Sequence, residues 1–273
     1  MTMDGFFIIL AALLPAVLLW MYIWRKDQKK EPISWLAKAT TYGVLICVPV
    51  SLVEMLIGAL LFYPDGNPTS LLGTTANAFF VAAIPEESFK LLALWLVLRK
   101  NPYFDEHFDG IVYAVCVGLG FAAIENILYL FDNIENWFSV AFVRSLMAVP
   151  GHYAFAILMG YYYSKHHFVD HSRKTAFLII IAPVLAHGMY DALLMTSMVN
   201  VVLGGICFII TIVLVCKLHI YARKKIASMI DTDNYFGGGV FSLATPSHIK
   251  VEEDYEIMET EQCNNDNEKL YQD

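Results

Sequence analysis

Long apolar stretches constrain this 273-residue chain more than any other feature. An α-helix rises about 1.5 Å per residue, so roughly 20 apolar residues cross the hydrocarbon core of a bilayer. The chain is 58% hydrophobic and 16% charged, whereas soluble domains carry about 25% charged residues. The sequence therefore predicts an all-α, polytopic helical membrane protein. Its seven predicted spans are Gly5–Trp24, Ala39–Phe62, Leu72–Leu98, Gly110–Phe131, Ser139–Ser164, Thr175–Thr196 and Val199–Ile220.

Basic residues occur in alternate connections between these spans, and cytoplasmic loops are the ones that retain Lys and Arg. The connections that carry them are 25–38, 99–100, 165–174 and 217–225. The connections that carry none are 63–71, 132–138 and 197–200. This alternation predicts that the N-terminus lies outside and the C-terminus inside.

Composition divides the chain into two predicted parts. Residues 1–225 form the predicted transmembrane domain. Residues 226–273 form a predicted acidic, disordered cytoplasmic tail, in which apolar residues do not form a sustained run. The tail holds most of the acidic excess behind the net charge of −8. No basic patch is visible, so nucleic acid is not an expected partner, and the lipid bilayer is.

Ionisable residues interrupt the third to sixth spans. An unpaired charge at the centre of a bilayer costs about 2.5–3.5 kcal/mol on insertion scales, so such residues are candidates for a functional site. Counted from the outer ends, four of them form one layer roughly 9–21 Å deep: Glu86, Glu125, His152 and His187. There a carboxylate can serve as general base and an imidazole as acid or oxyanion donor. The residues are Glu86, Glu87, Lys90, Glu125, Arg144, His152, His187 and Asp191.

Helical spacing relates some of these residues to one another. Glu86 and Lys90 are four residues apart and share a helix face, as His187 and Asp191 do. Glu87 points about 100° away from Glu86. Arg144 lies as far after the 132–138 loop as Glu125 lies before it, which predicts a neutralising pair at equal depth. Glu86 with Lys90 could also be a purely structural ion pair.

Four short motifs follow one another on successive spans. They are Glu86-Glu87-x-x-Lys90, Phe121-x-x-x-Glu125-Asn126, His152 after Pro150-Gly151, and His187-x-x-x-Asp191. In this order they resemble the PrsW intramembrane proteases, relatives of the CAAX-prenyl endopeptidase superfamily. The resemblance implies a multi-pass protease of the bacterial cell membrane that makes the first, extracytoplasmic cut in an anti-sigma factor. The implied partner is that single-span substrate, and the implied outcome is a stress response.

The resemblance also implies roles for individual residues. Glu86 activates the attacking water, His187 polarises the scissile carbonyl or shares the water, and Asp191 orients His187. The residues that support this catalytic core are Glu87, Glu125 and His152. The residues with a structural role are Lys90 and Arg144.

The same residues bear on whether the site holds a metal. A glutamate and a histidine can activate water without one, so we expect a glutamic-type site with no cofactor. Zinc is the alternative, because histidines and carboxylates are common zinc ligands. A His-Glu-x-x-His helix is absent from the sequence. The alternative zinc ligands are Glu86, Glu125, His152 and His187.

Two other functions stay open at this point. A proton- or ion-coupled transporter also places carboxylates and broken helices at the membrane midplane, although inverted repeats usually accompany them and none is visible here. A CAAX-type prenyl-protein endopeptidase would share the protease chemistry with another substrate. The CAAX-type endopeptidases have arginine and histidine patterns at the positions of Lys90 and Glu125, so the sequence departs from that group there.

The loop charges generate a topology prediction. Reporter fusions after Asn67 and Asn133 are expected to report outside, and fusions after Asn101 and His171 inside, because Lys and Arg hold their loops in the cytoplasm. Paired alkaline phosphatase and fluorescent-protein fusions measure this. A cytoplasmic signal at Asn133 would contradict the seven-span arrangement.

Overall fold

The fold is a bundle of α-helices. A computed structural model describes residues 3–62 and 68–235, and these ranges contain no β-strand. The predicted all-α, polytopic architecture is thus confirmed. The helices are α1 (Met3–Lys26), α2 (Ile33–Phe62), α3 (Leu71–Ala76), α4 (Ile84–Leu98), α5 (Asp109–Asp132), α6 (Trp137–Leu146), α7 (Ala148–Ser164), α8 (Arg173–Met195) and α9 (Val201–Tyr235).

Two of the predicted spans are interrupted. In the described ranges, six helical stretches are long and apolar enough to cross a membrane. The predicted third span consists instead of α3, a π-helical segment Asn77–Ala83, and α4 in succession. The predicted fifth span comprises α6 and α7, which are separated at Met147, where φ is −121° and ψ is −61°.

The outer helices present apolar side chains away from the bundle. On α2, Leu45, Val48 and Leu60 are exposed, and on α9, Val201 and Val202 are exposed. Contiguous apolar surface of this extent marks contact with a membrane or a partner. Together with the span lengths, it fits helices that face lipid.

Helix α5 forms the centre of the bundle, and residues 109–122 are buried without interruption. Helices α1, α2, α4 and α7 pack against it. A Cβ added to Gly43 of α2 would lie 2.1 Å from the Val117 carbonyl oxygen, and one added to Gly160 of α7 would lie 2.4 Å from the Gly110 oxygen. Small residues at these two crossings therefore let α2 and α7 approach α5 closely.

The π-helical segment sets the position of α8. A Cβ on Gly188 would lie 2.4 Å from the Phe79 ring, so only glycine lets α8 pack this closely against the segment. Pro85, two residues after the segment ends, lacks the N–H that a regular helix needs. This packing places His187, the neighbour of Gly188, beside the first turn of α4.

The last helix continues past residue 225, where the sequence predicts the tail to begin, and ends at Tyr235. Within this extension, the Asp233 carboxylate accepts hydrogen bonds from the backbone N–H groups of His107 and Phe108, at 2.8 and 2.9 Å. It thereby caps the start of α5. The rest of the predicted tail, residues 236–273, lies outside the described residues.

Candidate active site

The site residues predicted from the sequence converge from five helices on one cluster. They come from α4 (Glu86, Glu87, Lys90), α5 (Glu125), α6 (Arg144), α7 (His152) and α8 (His187, Asp191). The cluster borders a cavity of about 560 Å³, which is in the usual range for ligand pockets. The predicted residues that line the cavity are Glu86, Glu125, Arg144, His152, His187 and Asp191. Glu87 and Lys90 lie behind them.

Lys90 is the hub of the cluster. Its buried Nζ lies 2.8 Å from Glu86 Oε2, 2.9 Å from Glu87 Oε1 and 3.2 Å from His152 Nδ1. The ammonium also lies 4.2 Å from the centre of the Phe121 ring, a cation–π arrangement. One cation therefore compensates two adjacent carboxylates, whereas the helical spacing alone suggested that Lys90 pairs with one of them.

His187 lies between two carboxylates. Its Nδ1 is 3.0 Å from Glu87 Oε1 and 4.0 Å from Glu86 Oε2, and its Nε2 is 3.2 Å from Asp191 Oδ2. Because both ring nitrogens face acceptors, these contacts are all satisfied when both carry a proton. Phe155 stacks on the ring at 4.9 Å between centroids. The orientation of His187 is thus determined by Glu87 and Phe155 as well as by Asp191.

His152 links Lys90 to a second ion pair. Its Nε2 lies 2.7 Å from Glu125 Oε2, and Arg144 lies 3.1 Å from the same oxygen. An ammonium group can only donate, so in these contacts Nδ1 accepts from Lys90 and Nε2 donates to Glu125. Arg144 Nε also donates to the Asn126 side-chain oxygen at 2.6 Å. The pair predicted from matched depths is therefore a contact in the structure.

Some residues at the site lack a signal that a single sequence could reveal. Glu54 of α2 also lines the cavity, but no motif surrounds it. Phe155 and Tyr129, which lies 3.9 Å below the Arg144 guanidinium, are aromatic residues in apolar helices, where aromatics are common. The position of Glu54 inside the second predicted span was its one signal in the sequence, and only the spatial arrangement identifies Phe155 and Tyr129.

A buried glutamate that reaches a cavity, with a doubly hydrogen-bonded histidine beside it inside a helical membrane bundle, has the elements of an intramembrane hydrolase. The model of a family described as "PrsW family intramembrane metalloprotease" matches residues 31–217. The chain belongs to this family, which confirms the resemblance seen in the motifs.

Curated relatives support the same assignment. A protein named Protease PrsW from Oceanobacillus iheyensis is 37% identical over 188 residues, covering 68% of this chain and 82% of the relative. Proteins of that name from Geobacillus kaustophilus and Bacillus subtilis are each 35% identical, covering 70% and 69% of this chain and 81% and 83% of the relatives. No solved structure gives a significant match. The chain is therefore an intramembrane peptidase and a multi-pass membrane protein, which sets aside the transporter interpretation.

The family description includes a metal, and a metal site requires several ligand atoms that are free to coordinate the ion. Glu86, Glu87 and His152 each offer one ligand atom, and these atoms lie within 4.8 Å of one another. The Lys90 ammonium, however, contacts all three residues. Each ring nitrogen of His152 and His187 already has a protein partner. A dication there would have to displace a buried cation, so this arrangement does not fit a resident metal.

The Arg144 contacts generate a stability prediction. Arg144→Met is expected to cost up to about 3–5 kcal/mol, because it leaves the largely buried Glu125 carboxylate without its cation and with His152 as its remaining contact. Adding Glu125→Gln should restore folded yield but not activity. Thermal unfolding of the purified protein and yield in membranes measure both effects.

Arg99→Met is the matched control, since Arg99 is exposed at the end of α4 and stacks on Trp95. It should leave unfolding almost unchanged. A double variant that is no more stable than Arg144→Met would show that Arg144 acts through Asn126 or Tyr129 instead.

Proposed function

We propose that this intramembrane protease makes the first cut in a membrane-anchored, single-span anti-sigma factor, on the extracytoplasmic side of the membrane. The observation that carries the proposal is the extent of the cavity beside Glu86. It reaches Asp132 at the end of α5 and Met198 after α8. Loop charges predict that both of these helix ends face outward. A substrate that enters from that side would meet Glu86 before it reaches the cytoplasmic half of the bundle.

The substrate class rests on the PrsW resemblance and on the shape of the site. Peptide hydrolysis requires the scissile bond to leave its helix, because helical hydrogen bonds occupy the carbonyl groups. The cavity offers both apolar side chains and carboxylates, so it suits an unwound stretch of a transmembrane or juxtamembrane segment. Release of the cut anti-sigma factor would then start the stress response.

Glu86 is the proposed general base. Its Oε2 is held by Lys90, and the residue borders the cavity. A water beside it would attack the carbonyl carbon of the scissile bond and pass its proton to the carboxylate. When the carbon–nitrogen bond breaks, the same proton moves to the leaving amine. General acid–base catalysis of this kind contributes about 10²–10⁴-fold to a rate.

His187 is the proposed electrophile. Nδ1 stays with the fully buried Glu87, while Nε2 lies next to Asp191 at the cavity. A substrate carbonyl oxygen can take the place of Asp191 as the acceptor from Nε2. The developing oxyanion would then be stabilised by a hydrogen bond from a cationic ring. In this arrangement Glu87 and Asp191 are positioning residues.

The remaining polar residues hold these two groups in place. Lys90 orients Glu86, and His152 connects Lys90 to the Glu125–Arg144 pair. No step in this scheme passes through a metal. The scheme contains no metal because the Lys90 ammonium contacts each of the potential ligands, Glu86, Glu87 and His152.

Co-expression with candidate single-span anti-sigma factors tests the proposal. The wild-type protein should generate a fragment cut on the extracytoplasmic side, identified by mass spectrometry of its new terminus. Glu86→Gln should lower cleavage at least about 100-fold at unchanged protein level, because the amide keeps the shape but is not a base.

Glu135→Gln is the matched control, since Glu135 is exposed in the connection between α5 and α6, and it should cleave at the wild-type rate. If Glu86→Gln cleaved at the wild-type rate, Glu86 could not be the general base. If the protein cleaved another single-span protein but no anti-sigma factor, the proposed substrate class would be wrong. The assignment as a peptidase would still hold.

Transition-metal removal tests the metal-free mechanism. Purified protein treated with 1,10-phenanthroline, with Mg²⁺ present throughout, should keep its turnover, because water activation is assigned to Glu86. Metal analysis of the active protein should give well below one zinc per chain. Stoichiometric zinc whose removal stops cleavage, and whose return restores it, would contradict this mechanism.

A further inference from the structure

A second cluster of carboxylates lies at the start of α5, far from the active site. It contains Glu31 from the α1–α2 connection, Asp105 from the α4–α5 connection, and Asp109 from the first turn of α5. Asp109 and Glu125 are separated along α5 by about 24 Å. The proposed peptidase chemistry makes no use of these acidic residues.

The three carboxylates converge. One oxygen from each of Glu31, Asp105 and Asp109 lies within 4.8 Å of the other two. Asp109 is held in place, because its Oδ2 accepts backbone hydrogen bonds from Asp105 at 3.0 Å and Glu106 at 2.7 Å. Glu31 is held by a hydrogen bond from the Tyr113 hydroxyl. The arrangement is thus fixed by contacts outside the convergent oxygens.

The other oxygen of Asp109 has no partner. Asp109 is fully buried, and its Oδ1 accepts no hydrogen bond from any residue that the structure describes. The Oδ1 atoms of Asp105 and Asp27 are also buried without a partner among those residues. A buried carboxylate oxygen without a donor is costly. Three such oxygens in one region indicate that a cationic ligand belongs there.

Protein cations do not balance this charge. Lys29 contacts Asp105 Oδ2 at 2.6 Å, but half of its side chain is exposed. The Lys30 ammonium is occupied by the backbone carbonyls of Trp24, Arg25 and Asp27. The cluster therefore carries more negative charge than its neighbours neutralise.

We propose that Glu31, Asp105 and Asp109 bind a hard divalent cation, Mg²⁺ or Mn²⁺. All three ligands are carboxylate oxygens, which such cations prefer, and no thiol or imidazole is among them. Asp105 is partly exposed and Lys29 can swing into solvent, which opens a path for the ion and for water ligands. The cation would join the α1–α2 connection to the α4–α5 connection and to α5.

Metal-dependent unfolding of the full-length protein in detergent tests this site. At matched ionic strength, saturating Mg²⁺ or Mn²⁺ should raise the unfolding temperature of the wild-type protein by about 5 °C or more relative to K⁺. Titration with Mn²⁺, followed by the loss of free Mn²⁺ signal in electron paramagnetic resonance, should saturate near one ion per chain.

Substitutions then locate the ion. Asp105→Asn should weaken Mn²⁺ binding at least about tenfold and remove the metal-dependent rise in unfolding temperature, and Asp109→Asn should do the same. Asp105 is partly exposed, so its variant is expected to fold even where the Asp109 variant does not. The controls are Glu135→Gln, at an exposed position, and Glu86→Gln, in the candidate active site, and both should keep the metal effect.

Three results would overturn the proposal. One is an unfolding temperature that Mg²⁺ and Mn²⁺ leave unchanged. Another is Mn²⁺ binding of wild-type strength in Asp105→Asn, which would place the ion elsewhere in the chain. The third is loss of the metal effect in Glu86→Gln with retention in Asp105→Asn, which would assign the ion to the candidate active site.

Discussion

The contacts of one buried ammonium group, that of Lys90, hold the candidate active site together. Lys90 has no access to water, so its charge is compatible with the bundle only because Glu86, Glu87 and His152 surround it. Breaking such a buried arrangement by removing one partner costs about 3–5 kcal/mol. The same contacts join α4 to α7 and, through Glu87 and His187, to α8. Packing of α4 against α7 and α8 and formation of the candidate active site therefore depend on the same contacts.

The interrupted third span explains how a hydrolytic site can exist at membrane depth. Irregular backbone is tolerated inside a bilayer only where protein or water satisfies its polar groups. The π-helical segment Asn77–Ala83 precedes Pro85 and the paired glutamates, and its residues Asn77 and Val81 line the same cavity as Glu86. π-helical turns are frequent at functional sites. The irregular segment thus forms part of the cavity wall beside Glu86, and through Phe79 it also packs against Gly188 of α8.

Much of this arrangement could be predicted from the sequence, and the remainder has physical reasons for being missed. Span positions follow from apolar length, and the depth of Glu125 and Arg144 follows from counting residues away from a shared loop. The contact of Lys90 with Glu87 is an i,i+3 pair that spacing along one helix allows, whereas its contact with His152 depends on how α4 and α7 are rotated, which that spacing does not determine. The extension of α9 to Tyr235 was missed because residues 226–235 mix polar and apolar types. Asp233 stabilises the start of α5 from more than a hundred residues away in sequence.

Helix α5 links the two carboxylate clusters mechanically. Its N-terminal end carries Asp109 and is capped by Asp233, while Glu125 near its other end orients His152. Residues 109–122 are buried without interruption, so the part of α5 between the two clusters is enclosed by packed side chains and not by solvent. One helix therefore presents Asp109 to the first carboxylate cluster and Glu125 to the candidate active site, and the packing of α1, α2, α4 and α7 against it fixes the position of both residues.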